Sequence, residues 1–257
     1  MALAVSAQMQ KSSRTMNLAT LWLANKLGQY DVLSEEEKAV LARLPEREGE
    51  EPKGKDIVVE GSRPTHSTLL IEGFCARYSI LPDGKRQITA IHIPGDFVDL
   101  HSFLLKKMDH GVVTLAACRI AEVPHRNLRL VTEEFPHLAR LLWLNTLVDG
   151  AIHRQWLVAM GAQNALGHLA HFTCEMYVRL SSAGGAADYR FHLPMTQTEL
   201  GDALGLSYVH VNRSLQDLRG KGLVSWQGSD VEILDWDGLQ DLAMFDPAYL
   251  FIEREPR

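Results

Sequence analysis

Residues 195 to 221 read MTQTELGDALGLSYVHVNRSLQDLRGK, and this stretch decides the fold. Thr196 and Glu199 form a T-x-x-E capping box, and Met195 and Leu200 occupy the two positions of a hydrophobic staple, so a helix start is signalled twice. That helix is short. Gly205 ends it and supplies the positive φ a tight turn needs, while Ser207 is placed to N-cap a second helix. Leu200, Leu204, Leu206, Val211 and Leu215 give the two helices their shared apolar contacts, and Gly201 lets the axes approach closely. The spacing therefore predicts a helix-turn-helix and not one continuous helix.

The second helix presents Tyr208, Val209, His210, Asn212, Arg213 and Gln216 on its open face, a mixture of donors, acceptors and one apolar contact suited to reading base edges. With Thr196 and Ser207 at the two helix starts, these are the candidate DNA-contacting residues. A structural αα-hairpin, the bland alternative, would more often carry Glu and Lys there. After Gly222, the runs Leu223 to Trp226 and Val231 to Leu234 flank Gln227-Gly228-Ser229-Asp230, which reads as a hairpin wing behind the reading helix.

Upstream, Asn164 to Leu180 is helical and ends at the glycine-rich boundary Ser181 to Gly185. Before it, a helical period holds from Asn127 and, after Pro136, runs without proline to about Met160. Leu138, Leu141, Leu142, Asn145, Val148 and Ile152 recur along it at three-and-four spacing. Such a helix rises about 37 Å, longer than a small domain is wide, so the stripe is expected to pair with the same helix of a second copy. Burial against its own domain is the competing reading. Further upstream the pattern changes to short β-branched runs at Ile57 to Val59, Thr68 to Ile71, Ala76 to Leu81, Gln87 to Ile93 and Val112 to Ala116. Gly61, Gly73, Asp83-Gly84 and Gly95-Asp96 punctuate them, the signature of a small antiparallel barrel or jelly roll. Met16 to Tyr30 and Ser34 to Leu44 read as two short helices, the second opened by an S-x-x-E box, and residues 1 to 15 as a polar tail.

The 257 residues are 46% hydrophobic and 23% charged, which excludes disorder as the main character. Three scattered cysteines, Cys75, Cys118 and Cys174, without a CxxC suggest neither a disulfide framework nor a thiolate metal site, and point to a reducing compartment. No signal-peptide pattern and no run of about 18 apolar residues is present, so a cytoplasmic protein with no membrane partner is expected. The formal charge of −6 argues at first sight against a polyanion partner.

Together the segment QTELGDALGLSYVHVNRSLQDLRGKGLV, the barrel ending in HIPGDFVDL and the long helix between them resemble a regulator of the Crp/Fnr superfamily over roughly residues 50 to 235. The resemblance implies an α+β architecture: N-terminal helices and a jelly-roll sensor barrel in residues 1–135, a dimerisation helix in 136–161, and a winged helix-turn-helix in 162–257. It implies a homodimer whose reading helices enter successive major grooves about 34 Å apart, with a double-stranded DNA operator as partner and RNA polymerase as a further candidate. The family's base-contacting positions fall on Tyr208, Val209 and Arg213, of which Arg213 keeps guanine-reading chemistry.

Cyclic-nucleotide-binding members hold their ligand with a Gly-Glu pair and, about ten residues later, an Arg-Ser pair. Here Asp99 and Leu100 stand at the first pair and no arginine occurs between Arg86 and Arg119, which argues against cyclic AMP. Oxygen-sensing members use four cysteines for an iron-sulfur cluster, and this chain has three. The cofactor is therefore unknown. Asp99, Leu100, His101, Lys106 and Lys107 line the stretch where an unidentified small-molecule effector is expected. Metal or haem sensing is also weighed at His92 and His101, and His168, His171 and Glu175 share one helical face as weak metal candidates. Two rivals stay open: a constitutively active regulator that has lost its ligand, and a metal-dependent, cupin-like jelly-roll enzyme with an appended interaction module, for which no H-x-H ligand pair is found. Divided along the chain, the acid excess lies after Gly222, with eight acidic against two basic residues, whereas residues 190–221 carry four basic and three acidic. Phosphate attraction per subunit is thus modest, and pairing should matter for affinity.

Overall fold

A computed structural model describes residues 18–257; the polar tail expected over 1–15 lies outside the described residues. Helix α1 (Leu18–Tyr30) leads into α2 (Glu35–Leu41), whose start is held by the Ser34/Glu37 capping box in both directions. Two antiparallel sheets follow. One has the order β1-β7-β3 and the other β2-β6-β4-β5, with β1 Arg47–Glu51, β2 Asp56–Val58, β3 His66–Glu72, β4 Cys75–Ile80, β5 Arg86–His92, β6 Gly111–Thr114 and β7 Cys118–Pro124. The β4–β5 hairpin turns at Asp83-Gly84, where Gly84 takes φ 82°. A single helical turn, α3 (Ser102–Leu105), lies between β5 and β6.

Two strands of the barrel, β1 and β7, escape the sequence pattern, as do the short β8 and β9 of the C-terminal unit. β1 reads REGEE and alternates little, because it is a largely exposed edge strand paired only to β7. β7 reads CRIAEVP, and its alternation is interrupted at the adjacent buried pair Ile120-Ala121.

Helix α4 (His125–Glu134) abuts α5 (Pro136–Ala162), which begins with proline at its first position as a helix tolerates. Helix α6 (Ala165–Ala183) is capped by Asn164 and closed by Gly184 at φ 82°. A four-stranded sheet of order β10-β11-β9-β8 (β8 Ala186–Ala187, β9 Arg190–His192, β10 Val224–Gln227, β11 Asp230–Ile233) flanks α7 (Gln197–Leu204) and α8 (Tyr208–Gly220). Helix α9 (Trp236–Ala243) and a 3-10 turn at Pro247–Leu250 complete the chain. One apolar core runs from α1 through the barrel and α5 into the C-terminal unit, and a smaller one fills the barrel around Leu70, Cys75 and Val112. Among the described residues no helix is long and apolar enough to cross a membrane.

The pairing stripe expected on α5 needs correction. Leu138, Leu141, Leu142, Val148 and Ile152 are all buried within the chain itself, and Asn145 is half-buried. Helix α5 packs against α4, α1, α6 and the 3-10 turn, so its strongest apolar period is consumed inside one protomer. Trp143, Leu147, Leu157 and Val158 form the exposed apolar side instead.

Candidate nucleic-acid interface and sensor cavity

The α7–α8 unit is built as its residues dictate. The Thr196 backbone N–H donates to Glu199 Oε2 at 2.7 Å, and the Glu199 N–H donates to Thr196 Oγ1 at 3.1 Å. Gly205 takes φ 65° at the end of α7, and Ser207 Oγ accepts the His210 N–H at 3.3 Å to start α8. A Cβ on Gly201 would stand 2.6 Å from the Leu206 carbonyl oxygen, so only glycine permits this approach of helix and turn. Val211, Leu215 and Leu218 point inward.

That leaves Tyr208, Val209, His210, Arg213 and Gln216 exposed, with Val209 71% accessible. Asn212 is half-buried; its Nδ2 donates to Gln197 Oε1 at 3.1 Å and its Oδ1 accepts from Gln216 Nε2 at 3.0 Å. Gln197 is thus a member of this face that the sequence reading missed; its position at the first turn of α7, opposite α8, was the available signal. Thr196 and Ser207 are exposed at the two helix starts, where backbone N–H groups gather. The wing is the β10–β11 hairpin, turning through Gly228 and Ser229.

Between the barrel, α1, α5, α6 and the 3-10 turn lies a cavity of about 60 Å³, lined by Lys26, Arg77, Asp96, Asp149 and Arg179 among others. Its charges are paired across elements. Arg77 of β4 donates to Asp149 of α5 at 2.9 Å, and Arg179 of α6 donates to Glu175 at 3.1 Å, to Asp96 at 3.4 Å and to the Ile91 carbonyl at 2.7 Å. Lys26 of α1 closes on Asp96 from the other side. Burial would raise the Asp149 carboxyl, but Arg77, His92 and His153 hold it well below the usual carboxylate range. Sequence reasoning found none of these five as site residues, since each comes from a different element. Single charges inside apolar runs, such as Arg77 in CARYSI, were the only signal.

Of the residues expected at an effector site, Leu100 and His101 line this cavity. Asp99 does not: it is buried in the barrel wall, where its Oδ1 accepts the Thr68 N–H at 2.6 Å and burial pushes its carboxyl up to about 7. Lys106 and Lys107 are exposed outside it, Lys106 standing 5.0 Å over the Phe103 ring. His168, His171 and Glu175 sit buried in the core of α6 and do not assemble a ligand set. Glu175 accepts from Trp156 Nε1 at 3.0 Å, Tyr249 Oη at 2.9 Å and Arg179, so its oxygens are already committed. Buried His92 lies 3.7 Å from Asp96. Cys75 and Cys118 approach to 3.8 Å in the barrel while Cys174 lies in α6, and all three are buried.

Two family models match the chain: the cyclic nucleotide-binding domain over residues 50–134 and the Crp-like helix-turn-helix domain over residues 167–242. The chain is similar to the transcriptional activator protein FnrA of Stutzerimonas stutzeri, 26% identical over 239 residues, covering 93% of this chain and 95% of the relative. It is similar also to the nitrogen fixation regulation protein FixK of Bradyrhizobium diazoefficiens, 29% identical over 195 residues, covering 74% and 79% of the two chains. Among solved structures, FixK2 from Bradyrhizobium japonicum superposes with a TM-score of 0.70 at 25% identity, covering 76% of this chain and 96% of that one.

Proposed function

The chain belongs to the Crp/Fnr superfamily of DNA-binding transcriptional regulators and is not an enzyme, and from that premise we propose that it reads its operator as a homodimer through Tyr208, Val209 and Arg213, under control of an effector that is neither cyclic AMP nor an iron-sulfur cluster. The observation that carries the reading is the exposed face of α8. Its buried side packs on α6, α7 and β10, while Arg213 is exposed with no hydrogen bond or ion pair among the described residues. An unpaired guanidinium flanked by Val209 and Gln216 suits a guanine edge beside a thymine methyl.

In this division of labour the barrel up to residue 135 senses, residues 136–161 pair, and residues 162–257 read DNA. Pairing is supported by the solvent side of α5, where Trp143, Leu147, Gly150, Arg154 and Leu157 follow one another at intervals of four and three residues. That is the repeat of a two-helix seam, with small Gly150 at its middle.

The negative statement about the effector rests on fit. Pockets for small molecules run to about 300 Å³ or more, and a cavity of about 60 Å³ crossed by the Arg77–Asp149 pair supports an effector other than a cyclic nucleotide. Nor can Cys75, Cys118 and Cys174 supply a four-thiolate cluster, since Cys174 is in a different unit from the other two.

The test is fluorescence anisotropy of the full chain on a duplex selected from a random pool. Binding should weaken steeply with salt as phosphate contacts release counterions. Arg213→Ala should cost about 1 to 3 kcal/mol on the selected duplex and much less on random duplex. Equal losses on both duplexes would remove Arg213 from base reading, and salt-independent binding would remove the phosphate contacts.

A further inference from the structure

At the rim of the barrel, outside the charge network just described, two imidazoles and a carboxylate converge. His101 stands immediately before α3 and His110 immediately before β6. Between them Lys106 adopts a left-handed φ of 65°, which ends the helical turn and folds the chain back so that the two histidines face each other. Their Nε2 atoms are 2.7 Å apart, the rings tilted by 60° and not stacked, and Asp109 Oδ1 lies 3.7 Å from His110 Nε2. One donor atom from each of the three residues fits within a 4.8 Å cluster. His110 is buried, His101 half-buried and Asp109 open to solvent.

We propose that His101, His110 and Asp109 bind a divalent first-row transition metal ion, with zinc as the type, leaving a fourth position to water. The donor set selects this class: imidazole nitrogen suits zinc, iron, nickel or copper, whereas magnesium and calcium ask for oxygen ligands throughout. The distances are close to what the ion requires. Metal–nitrogen bonds of about 2.0 to 2.1 Å at a tetrahedral angle put two imidazole nitrogens about 3.3 Å apart, so the pair need open by only about 0.6 Å. The 3.7 Å separation of Asp109 Oδ1 from His110 Nε2 needs a similarly small closure.

The two Nε2 atoms already face each other across a hydrogen bond, and an ion bound between them would displace the proton they share. Arg77 opposes a dication, but it is paired with Asp149, and Asp109 brings a negative charge to the ion itself. Because His101 also lines the sensor cavity, the ion would fix one wall of it. The site stands on its ligand set alone and does not depend on the regulatory reading.

The experiment is titration of zinc(II), and separately cobalt(II), into chelator-treated full-length protein. One ion per chain is expected, with cobalt giving visible ligand-field absorption and no thiolate charge-transfer band. Asp109→Asn, an exposed change, and His101→Gln, at a half-buried side chain, should each weaken binding by roughly 10-fold or more. Circular dichroism and melting temperature report whether each variant is folded. The absence of stoichiometric binding to the wild-type chain, a thiolate band, or unchanged affinity in folded His101→Gln overturns the site.

Discussion

Arg179 ties α6 to the barrel, beside the Arg86–Asp202 pair that joins β5 to α7, and its removal has a calculable cost. The side chain is 11% exposed, its partner Asp96 6% and Glu175 0%, so all three charges are largely out of water. Arg179→Met keeps most of the apolar stem and deletes the guanidinium, leaving the Ile91 carbonyl and both carboxylates short of a donor. Breaking a buried pair from one side costs about 3 to 5 kcal/mol. Here the carboxylates keep other donors: Glu175 retains Trp156 and Tyr249, and Asp96 retains Lys26 and the Ile93 N–H at 3.1 Å. The loss should therefore fall at the lower end, about 3 kcal/mol, and lower Tm by roughly 6 to 12 °C if the chain unfolds as one unit. Urea unfolding followed by tryptophan fluorescence and circular dichroism measures it. An Asp96→Asn partner mutation closes a double-mutant cycle, in which Arg179 and Asp96 should couple by about 0.5 to 3 kcal/mol. A single-variant loss under about 1 kcal/mol, with no coupling, would refute the reading of this network as a buried tie between α6 and the barrel.

Leu157→Asp changes a residue 69% exposed in one protomer, so it should leave the fold intact while abolishing the dimer in sedimentation at micromolar concentration; an unchanged dimer would move the seam elsewhere. Asp99 keeps its proton in the folded chain up to about pH 7 but loses it near 3.8 when unfolded, so its contribution to stability declines as pH rises from about 4 to 7 and is flat above. Asp99→Asn, whose amide oxygen can still accept from Thr68, should gain urea midpoint over wild type at pH 8 relative to pH 4; parallel pH profiles would show that the burial of this carboxyl carries no such cost. Gly201→Ala places a methyl 2.6 Å from the Leu206 oxygen and should cost about 1 to 3 kcal/mol with weakened DNA binding, whereas Gly220→Ala, where a Cβ meets nothing within 4 Å, should be silent.

The helix-turn-helix was legible because local rules decide it. Thr196 and Glu199 cap each other within one turn, Gly205 must go left-handed, and Ser207 restarts the helix, each within four residues of its partner. The same holds for the Asp83-Gly84 turn and the Gly184 stop. Strand β1 was illegible for the opposite reason. REGEE owes its conformation to the β7 backbone some 70 residues later, in the register Arg47 to Glu122, and nothing in its own composition asks for a strand.

The dimer stripe shows what periodicity cannot say. Three-and-four spacing proves that a face of α5 is buried, and Leu138, Leu141 and Leu142 are indeed buried, but the pattern is silent about the body that covers them. In this chain α1, α6 and the 3-10 turn claim that face, and the weaker stripe through Trp143 and Leu157 is left over. A helix with two apolar sides has a low amphipathic contrast, so the stripe with more apolar residues dominates the reading and the second, exposed one is hidden beneath it. The cavity is hidden by the same logic carried further. Lys26, Arg77, Asp96, Asp149 and Arg179 are spread across more than 150 residues, and each looks like an ordinary solvated charge until folding removes the water around it. Only then does pairing become obligatory, because an unpaired charge in that cavity would cost several kcal/mol. The site is thus a property of how the elements meet, and its residues are recognised by the company they keep across the fold.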